Sequence, residues 1–105
     1  MQAVVNGFGM KKYQVIISFE ITEEFMQLVP PHRTYVGYLI NKGIIDSYLV
    51  SMESQTVWIT FSTKSKEEVE KHLRKSPLYP YWSYTVEELF IYDGQLYRLP
   101  SVQLN

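Results

Sequence analysis

The sequence predicts a single small domain of the α+β class. Several short segments alternate apolar and polar residues, two others repeat apolar residues at helical spacing, and their order is strand, helix, strand, strand, helix, strand. The chain has 105 residues, which is enough for one hydrophobic core. Apolar residues make up 46% of it and aromatic residues 15%, a composition typical of a folded protein.

The first predicted strand begins at Tyr13 and has one strongly apolar face. Every second residue lies on that face: Tyr13, Val15, Ile17 and Phe19. The alternation predicts a strand that packs one side against a core and leaves Ile16 on the other side.

A helix is predicted next, because Thr22 offers a cap and apolar residues recur at three- and four-residue spacing along a stripe that includes His32. Pro30 and Pro31 cannot donate backbone hydrogen bonds, so we expect them to interrupt the helix with a kink. The expected parts are a short turn over Glu23–Leu28 and a main helix over Pro31–Lys42, ended by Gly43.

Two β-rich runs follow, Ile44–Met52 and Gln55–Thr63, and they predict an antiparallel hairpin. Ser65 and Glu68 match a capping box that opens a second helix, which is expected to end near Lys75. A final strand is predicted over Tyr84–Tyr92, and a turn then leads into a short tail, Gln95–Leu99.

This order of elements is that of the ferredoxin-like βαββαβ fold, with two helices on one face of a four-stranded sheet. The other face would carry Ile16 and Trp58, so leaving it in water would expose an apolar patch. We therefore expect two copies to pair their sheets as a homodimeric α+β barrel, or a higher homo-oligomer. The space between the sheets is then the expected pocket for a small-molecule ligand.

Composition excludes several classes of protein. Ten basic and eleven acidic residues leave no basic block for binding nucleic acid. The chain has no cysteine and no long apolar run, so we expect a cytoplasmic protein without disulfides, signal peptide or membrane contact. Residues 1–9 are expected to be an extension or an expression remnant, and residues 10–105 the domain.

Residues 76–82, here called the proline-aromatic segment, form the most distinctive stretch: Ser76-Pro77-Leu78-Tyr79-Pro80-Tyr81-Trp82. Its two prolines remove backbone donors and favour extended geometry in the residues before them. We expect a stiff, aromatic-lined loop that is neither helix nor central strand and that closes one end of a pocket.

The chain resembles the muconolactone isomerase family over roughly residues 10–92. The resemblance rests on the proline-aromatic segment together with three other stretches: Tyr35–Gly43, the hairpin ending at Trp58–Phe61, and the capped helix at Ser65. The resemblance implies a cytoplasmic dimer or larger assembly, without metal or organic cofactor. It also implies proton movement between carbons of an unsaturated lactone in aromatic-compound breakdown. The order of strands and helices is equally typical of YCII-related proteins and of small antibiotic-biosynthesis monooxygenases.

Proton transfer needs a group that titrates near neutrality or a desolvated carboxylate. His32 is the candidate base on the first helix, and Arg33 beside it would bind a substrate carboxylate. Glu87 and Glu88 interrupt the last strand, where one of them would face the barrel and act as a base. The alternatives are a structural His32 with Arg33 in solvent, and two glutamates that only keep the sheet edge polar.

Three other titratable residues are weaker candidates. His72 lies at a charged helix end and is expected to cap it or face solvent, and Glu20 and Asp46 are expected at the barrel rim. The two histidines are forty residues apart and the chain has no cysteine, so no metal site is expected.

Aromatic residues supply the expected pocket wall, because they combine a large apolar area with a polar tip. The candidates for ligand binding are Trp58, Tyr79, Tyr81 and Tyr84, with Trp82 more favoured as core or dimer contact. The working hypothesis is a cofactor-independent isomerase or lyase acting on a small unsaturated acid or lactone. The alternatives are a non-catalytic binding or assembly module and a cofactorless monooxygenase.

Overall fold

The computed structural model describes residues 9–93, which form a four-stranded antiparallel sheet with two helices on one face. The elements are β1 (Lys11–Phe19), α1 (Glu23–Asn41), β2 (Ile45–Ser51), β3 (Thr56–Thr63), α2 (Lys66–Arg74) and β4 (Trp82–Glu88). The strand order is β2-β3-β1-β4. This confirms the predicted α+β class and the ferredoxin-like βαββαβ arrangement. Almost all of the expected N-terminal extension, residues 1–8, and the tail Gln95–Leu99 lie outside the described residues.

The hydrophobic core lies between the sheet and the helices, as the alternation in β1 predicts. Tyr13, Val15 and Ile17 are at most 3% exposed. Their neighbours across the ladder on β3 are buried as well: Val57, Ile59 and Phe61. Helix α1 adds Phe25, Val36 and Leu39 to this core, and α2 adds Val69 and Leu73.

Helix α1 is continuous, so the predicted interruption at Pro30 and Pro31 is wrong. The Thr22 side chain caps the helix by accepting a hydrogen bond from the Phe25 amide at 3.1 Å. Each proline removes only its own bond to the carbonyl four residues earlier. Buried side chains on both sides of the prolines, Phe25 and His32 among them, pack both halves of the helix against the sheet.

Gly43 ends α1 as predicted, with Lys42 as the C-cap. Its φ of +77° is a left-handed conformation that glycine adopts without strain. The Gly43 amide donates to the Ile40 carbonyl at 3.0 Å, and the Ile44 amide donates to the Leu39 carbonyl at 2.9 Å. This pair of bonds is the Schellman motif, and it directs the chain into β2.

Strand β4 and the proline-aromatic segment differ from the sequence prediction. Strand β4 begins at Trp82 and ends at Glu88, earlier at both ends than the predicted strand. Within the proline-aromatic segment, Tyr79–Tyr81 form one 3₁₀ turn, so the expectation of no helical structure there is wrong. Proline at the second position of this turn explains the difference, because its fixed φ suits a helical start and its missing donor is not needed there.

The predicted Ser65 cap of α2 is confirmed, because the Ser65 hydroxyl accepts a hydrogen bond from the Glu68 amide at 3.3 Å. Ser65→Ala is expected to lower the free energy of unfolding by about 1 kcal/mol, since the amide loses its acceptor. Urea denaturation will measure the change. Ser83→Ala, at an exposed position on β4, is the matched control and should change stability by less than about 0.5 kcal/mol. Equal effects from the two variants would contradict the role of the cap.

The sheet face away from the helices, here called the open face, is arranged in rows across the strands. One row is largely apolar and contains Leu49, Trp58, Ile16 and Thr85. The next row is polar, and in it the Ser47 hydroxyl donates to Thr60 at 3.0 Å and Thr60 donates to Gln14 at 3.2 Å. The predicted apolar character of the open face is therefore concentrated in a single row.

Candidate functional site

A cavity of about 190 Å³ lies on the helix side of the sheet, between α1, the edge strand β2 and the proline-aromatic segment. It is mainly apolar, and its lining includes Phe25, Val29, Val50, Met52, Val57 and Trp82. Three side chains bring polar groups to it: His32, Arg33 and Tyr48. An apolar cavity with a few converging polar groups is the usual form of a small-molecule site.

His32 lies in the wall of this cavity and is only 3% exposed. Its Nδ1 atom lies 2.8 Å from the Ser76 hydroxyl, and its Nε2 atom lies 2.7 Å from the Tyr48 hydroxyl. The imidazole ring also makes an edge contact with Trp82, with ring centroids 5.6 Å apart. His32 thus joins α1, β2 and the proline-aromatic segment through one buried ring.

Burial and the positive charge of Arg33 lower the pKa of His32 to about 4, so the ring is neutral at physiological pH. Burial raises the pKa of Tyr48, and the nearby Arg33 charge partly opposes that rise. A neutral histidine with both nitrogens hydrogen-bonded is a weak base. As placed here, His32 can hold or orient a proton on Tyr48 more readily than it can remove one from a carbon.

Arg33 is exposed and lies beside the same cavity. Its guanidinium carbon lies 5.6 Å from the centroid of the Tyr48 ring. Arginine provides only hydrogen-bond donors and a fixed positive charge. The polar side of the cavity is therefore suited to an anion or to another strong acceptor.

The proline-aromatic segment borders this cavity on one side and continues into a cluster around α2. Trp82 lines the cavity and makes an edge contact with Tyr79, with centroids 6.2 Å apart. Tyr79 lies against Tyr84, whose hydroxyl donates to the Glu70 carboxylate. Burial, together with the bond to Glu70, raises the pKa of Tyr84. Tyr79 and Tyr84 therefore lie near the site but outside the cavity wall.

Tyr81 packs edge-on against Phe25 at 6.1 Å and lines a second, more open cleft of about 460 Å³ with Glu20 and Ser83. This cleft lies at the end of β1 and β4, where Thr22 and Pro80 also border it. Tyr81 thus forms the boundary between the core and this surface cleft.

Trp58 does not share a pocket wall with the proline-aromatic segment, so that expectation is wrong. Trp58 pairs with Ile16, whereas Tyr84 pairs with the next residue on β1, Ile17. Successive residues of a strand point to opposite faces, so Trp58 lies on the open face and Tyr84 on the helix side.

The two glutamates of β4 are also separated by this alternation. Glu87 pairs with Gln14 and lies on the open face, whereas Glu88 pairs with Tyr13 on the helix side. Glu88 is exposed and lies 3.8 Å from Lys11. Neither glutamate reaches the cavity around His32. Glu87 alone has the orientation that the predicted chamber between two sheets requires.

The weaker candidates are dispersed. Asp46 forms a 2.7 Å ion pair with Lys12, and Glu20 is exposed at the open cleft. The His72 ring lies 6.3 Å from that of Phe61, and its backbone carbonyl accepts a hydrogen bond from the Tyr35 hydroxyl. Within residues 9–93, no three His, Cys, Asp or Glu side chains cluster as a metal site would need. No helix in that range is long and apolar enough to span a bilayer.

Sequence reasoning did not single out Tyr48 and Ser76, although both contact His32. Tyr48 lies on the same face of the hairpin as its partner Ile59, an inner residue of β3. Pairing the two strands in register would therefore have placed Tyr48 on the helix side. Ser76 precedes Pro77, and no pattern in the sequence indicates that its hydroxyl faces a residue 44 positions earlier.

No family model matches the chain, and no curated protein matches it. Among solved structures, the fold is similar to a conserved protein of unknown function from Bacteroides thetaiotaomicron, described as a possible oxidoreductase. The TM-score is 0.45 and the identity 10%, over 79% of this chain and 98% of that one. A likeness of this extent carries no argument about activity.

Proposed function

We propose that this chain binds a small, mainly apolar molecule with one anionic or strongly accepting group in the cavity between α1 and β2. The observation that carries the proposal is the convergence of Arg33, Tyr48 and His32 on one side of an otherwise apolar cavity. Its volume of about 190 Å³ exceeds the roughly 150 Å³ of an engineered cavity that admits benzene. One substituted ring or a compound of similar size is the expected ligand.

The positions of the polar groups indicate which end of the ligand lies at the mouth of the cavity. Arg33 is exposed, so it lies on the solvent side of the cavity, whereas the buried wall is formed by residues such as Phe25 and Val57. A carboxylate at the mouth would meet the guanidinium while the ring enters the apolar interior. This orientation avoids burying an unpaired charge.

The test is a titration with benzoate, monitored by isothermal calorimetry and by amide chemical shifts. Arg33→Gln removes the charge and is expected to weaken benzoate binding by about tenfold. Arg74→Gln, on the exposed side of α2, is the matched control and should leave the affinity unchanged. An absence of benzoate binding, or equal loss in both variants, would overturn the proposal.

A second candidate function is a muconolactone isomerase-like proton transfer on a small unsaturated acid or lactone. The 2.7 Å contact between His32 Nε2 and the Tyr48 hydroxyl supports it, because the ring can orient the Tyr48 hydroxyl as a proton donor beside the cavity. Solvent deuterium incorporation into a small unsaturated lactone will test it, with Tyr48→Phe expected to abolish exchange. The paired-sheet homodimer and the cytoplasmic location stay predictions.

A further inference from the structure

The Ser76 hydroxyl connects the proline-aromatic segment to the cavity. Ser76 is 5% exposed, and its Oγ accepts a hydrogen bond from the Leu78 amide at 3.1 Å. The same Oγ lies 2.8 Å from His32 Nδ1. A serine hydroxyl has one proton to donate, and its two partners among the described residues are these two nitrogens. The amide nitrogen cannot accept a hydrogen bond, so only His32 Nδ1 can receive the hydroxyl proton.

Two arrangements of protons are compatible with these distances. In the first, Ser76 donates to Nδ1, the imidazole proton is on Nε2, and Nε2–H donates to the Tyr48 oxygen. In the second, Nδ1–H donates to Ser76 and Tyr48 donates to Nε2. The second leaves the Ser76 proton without an acceptor in a buried position, which costs free energy. In the first arrangement it is the Tyr48 proton that has no acceptor among these groups, but Tyr48 is only half-buried.

The first arrangement also fits the charge of Arg33. The guanidinium lies close to the Tyr48 ring and can only donate, so it cannot accept the Tyr48 proton. The Tyr48 oxygen can accept from Nε2–H, and its own proton is then available to a molecule in the cavity. Both polar groups facing the ligand are donors in this arrangement.

We propose that Ser76 is a positioning residue that holds His32 in the Nε2–H tautomer, so that Tyr48 presents its proton to the cavity. The ligand then carries a group that only accepts hydrogen bonds, such as a carboxylate, an enolate or a ring carbonyl. An amine of the same size is rejected, because it would meet two donors and the positive charge of Arg33. The ligand class rests on the proposed function, whereas the tautomer does not.

The tautomer can be measured without any ligand. Long-range ¹H–¹⁵N correlation of the histidine rings at neutral pH distinguishes a protonated from an unprotonated ring nitrogen, and His72→Gln assigns the His32 signals. We expect Nε2 protonated and Nδ1 unprotonated in the wild-type protein. Ser76→Ala should lose the exclusive Nε2–H signature, and Ser76→Thr, which keeps a hydroxyl, should restore it. A protonated Nδ1 in the wild-type protein would overturn the assignment even if Ser76→Ala does not fold.

Ligand selectivity is tested with benzoate and benzylamine, which share a ring and differ in the polar end. Benzoate is expected to bind the wild-type protein and to bind Tyr48→Phe about fivefold more weakly, since one hydrogen bond is lost. Tyr38→Phe, at an exposed position on α1, is the matched control and should bind benzoate like the wild type. Benzylamine binding as tight as that of benzoate would overturn the ligand class.

The two measurements separate failure of the site from failure of the tautomer. If the Nε2–H tautomer is observed but benzoate does not bind, the proposed function is wrong and the positioning role of Ser76 stands. If benzoate binds but Nδ1 carries the proton, the binding function stands and the positioning role is wrong.

Discussion

Acidification from neutral pH to about pH 4 is expected to lower the free energy of unfolding by about 3 kcal/mol through His32 alone. The folded pKa of about 4 lies below the ordinary value of 6.5 that applies to the unfolded chain. The unfolded state therefore takes up a proton first as the pH falls. This contribution of His32 is complete above the unfolded pKa and is lost as the pH falls towards the folded pKa.

The physical reason lies in the neighbours of His32. A protonated ring would donate from both nitrogens, so Ser76 could no longer donate to Nδ1, and the new charge would lie buried beside Arg33. Urea denaturation across this pH range will measure the loss. The His32→Gln variant has no titratable group at this position. Over the same pH range, its free energy of unfolding should therefore fall by about 3 kcal/mol less than that of the wild type. A pH dependence identical to that of the wild type would show that His32 is not held neutral.

Phe61→Ala is expected to have a comparable or larger effect, lowering the free energy of unfolding by about 3–5 kcal/mol. Phe61 is 1% exposed and lies on the inner face of β3, paired with Tyr13 on one side and Ile45 on the other. Removing its ring leaves a cavity at the centre of the core. Thermal and urea denaturation, followed by circular dichroism, will measure the change.

Phe90→Ala provides the matched control for this substitution, because the same ring is removed from a side chain that is 78% exposed. Its effect should be within about 0.5 kcal/mol of zero. A similar loss of stability in both variants would mean that the Phe61 ring of β3 is not buried in the core.

Local patterns in the sequence were sufficient for most of the fold. Alternation along β1 identified which residues are buried, and Thr22, Gly43 and Ser65 identified helix ends through the backbone groups that they satisfy or the conformations that they allow. The interruption predicted at Pro30 and Pro31 was wrong because tertiary packing on both sides of the prolines outweighs two lost hydrogen bonds.

The site was only partly predictable, because strand register decides which residues meet. His32 was identified from the helical stripe and Arg33 as its neighbour in the sequence, and both line a cavity. The pairing of Ile16 with Trp58 and of Ile17 with Tyr84 separates two aromatics that the sequence had grouped. The same register assigns Glu87 and Glu88 to opposite faces, which the doublet alone could not decide.

The open face is less apolar than the sequence pattern predicts. Alternation placed Ile16 and Trp58 there and suggested a surface that needs covering by a second copy. The register adds Leu49 to their row but places Gln14, Thr60 and Ser47 in the row beside it, where they are hydrogen-bonded to one another. Pairing of two copies through this face stays a prediction. Sedimentation of the wild type and of Trp58→Ser will measure whether two copies pair through this face.

The uninterrupted course of α1 through Pro30 and Pro31 has a mechanical consequence. The carbonyls of Met26 and Gln27 cannot receive the usual helical hydrogen bond, since the residues four positions later have no N–H. Met26 and Val29 lie in this stretch and line the cavity. The helical wall of the cavity therefore has two fewer backbone hydrogen bonds than a regular helix, so opening this wall locally would break fewer bonds than opening the sheet.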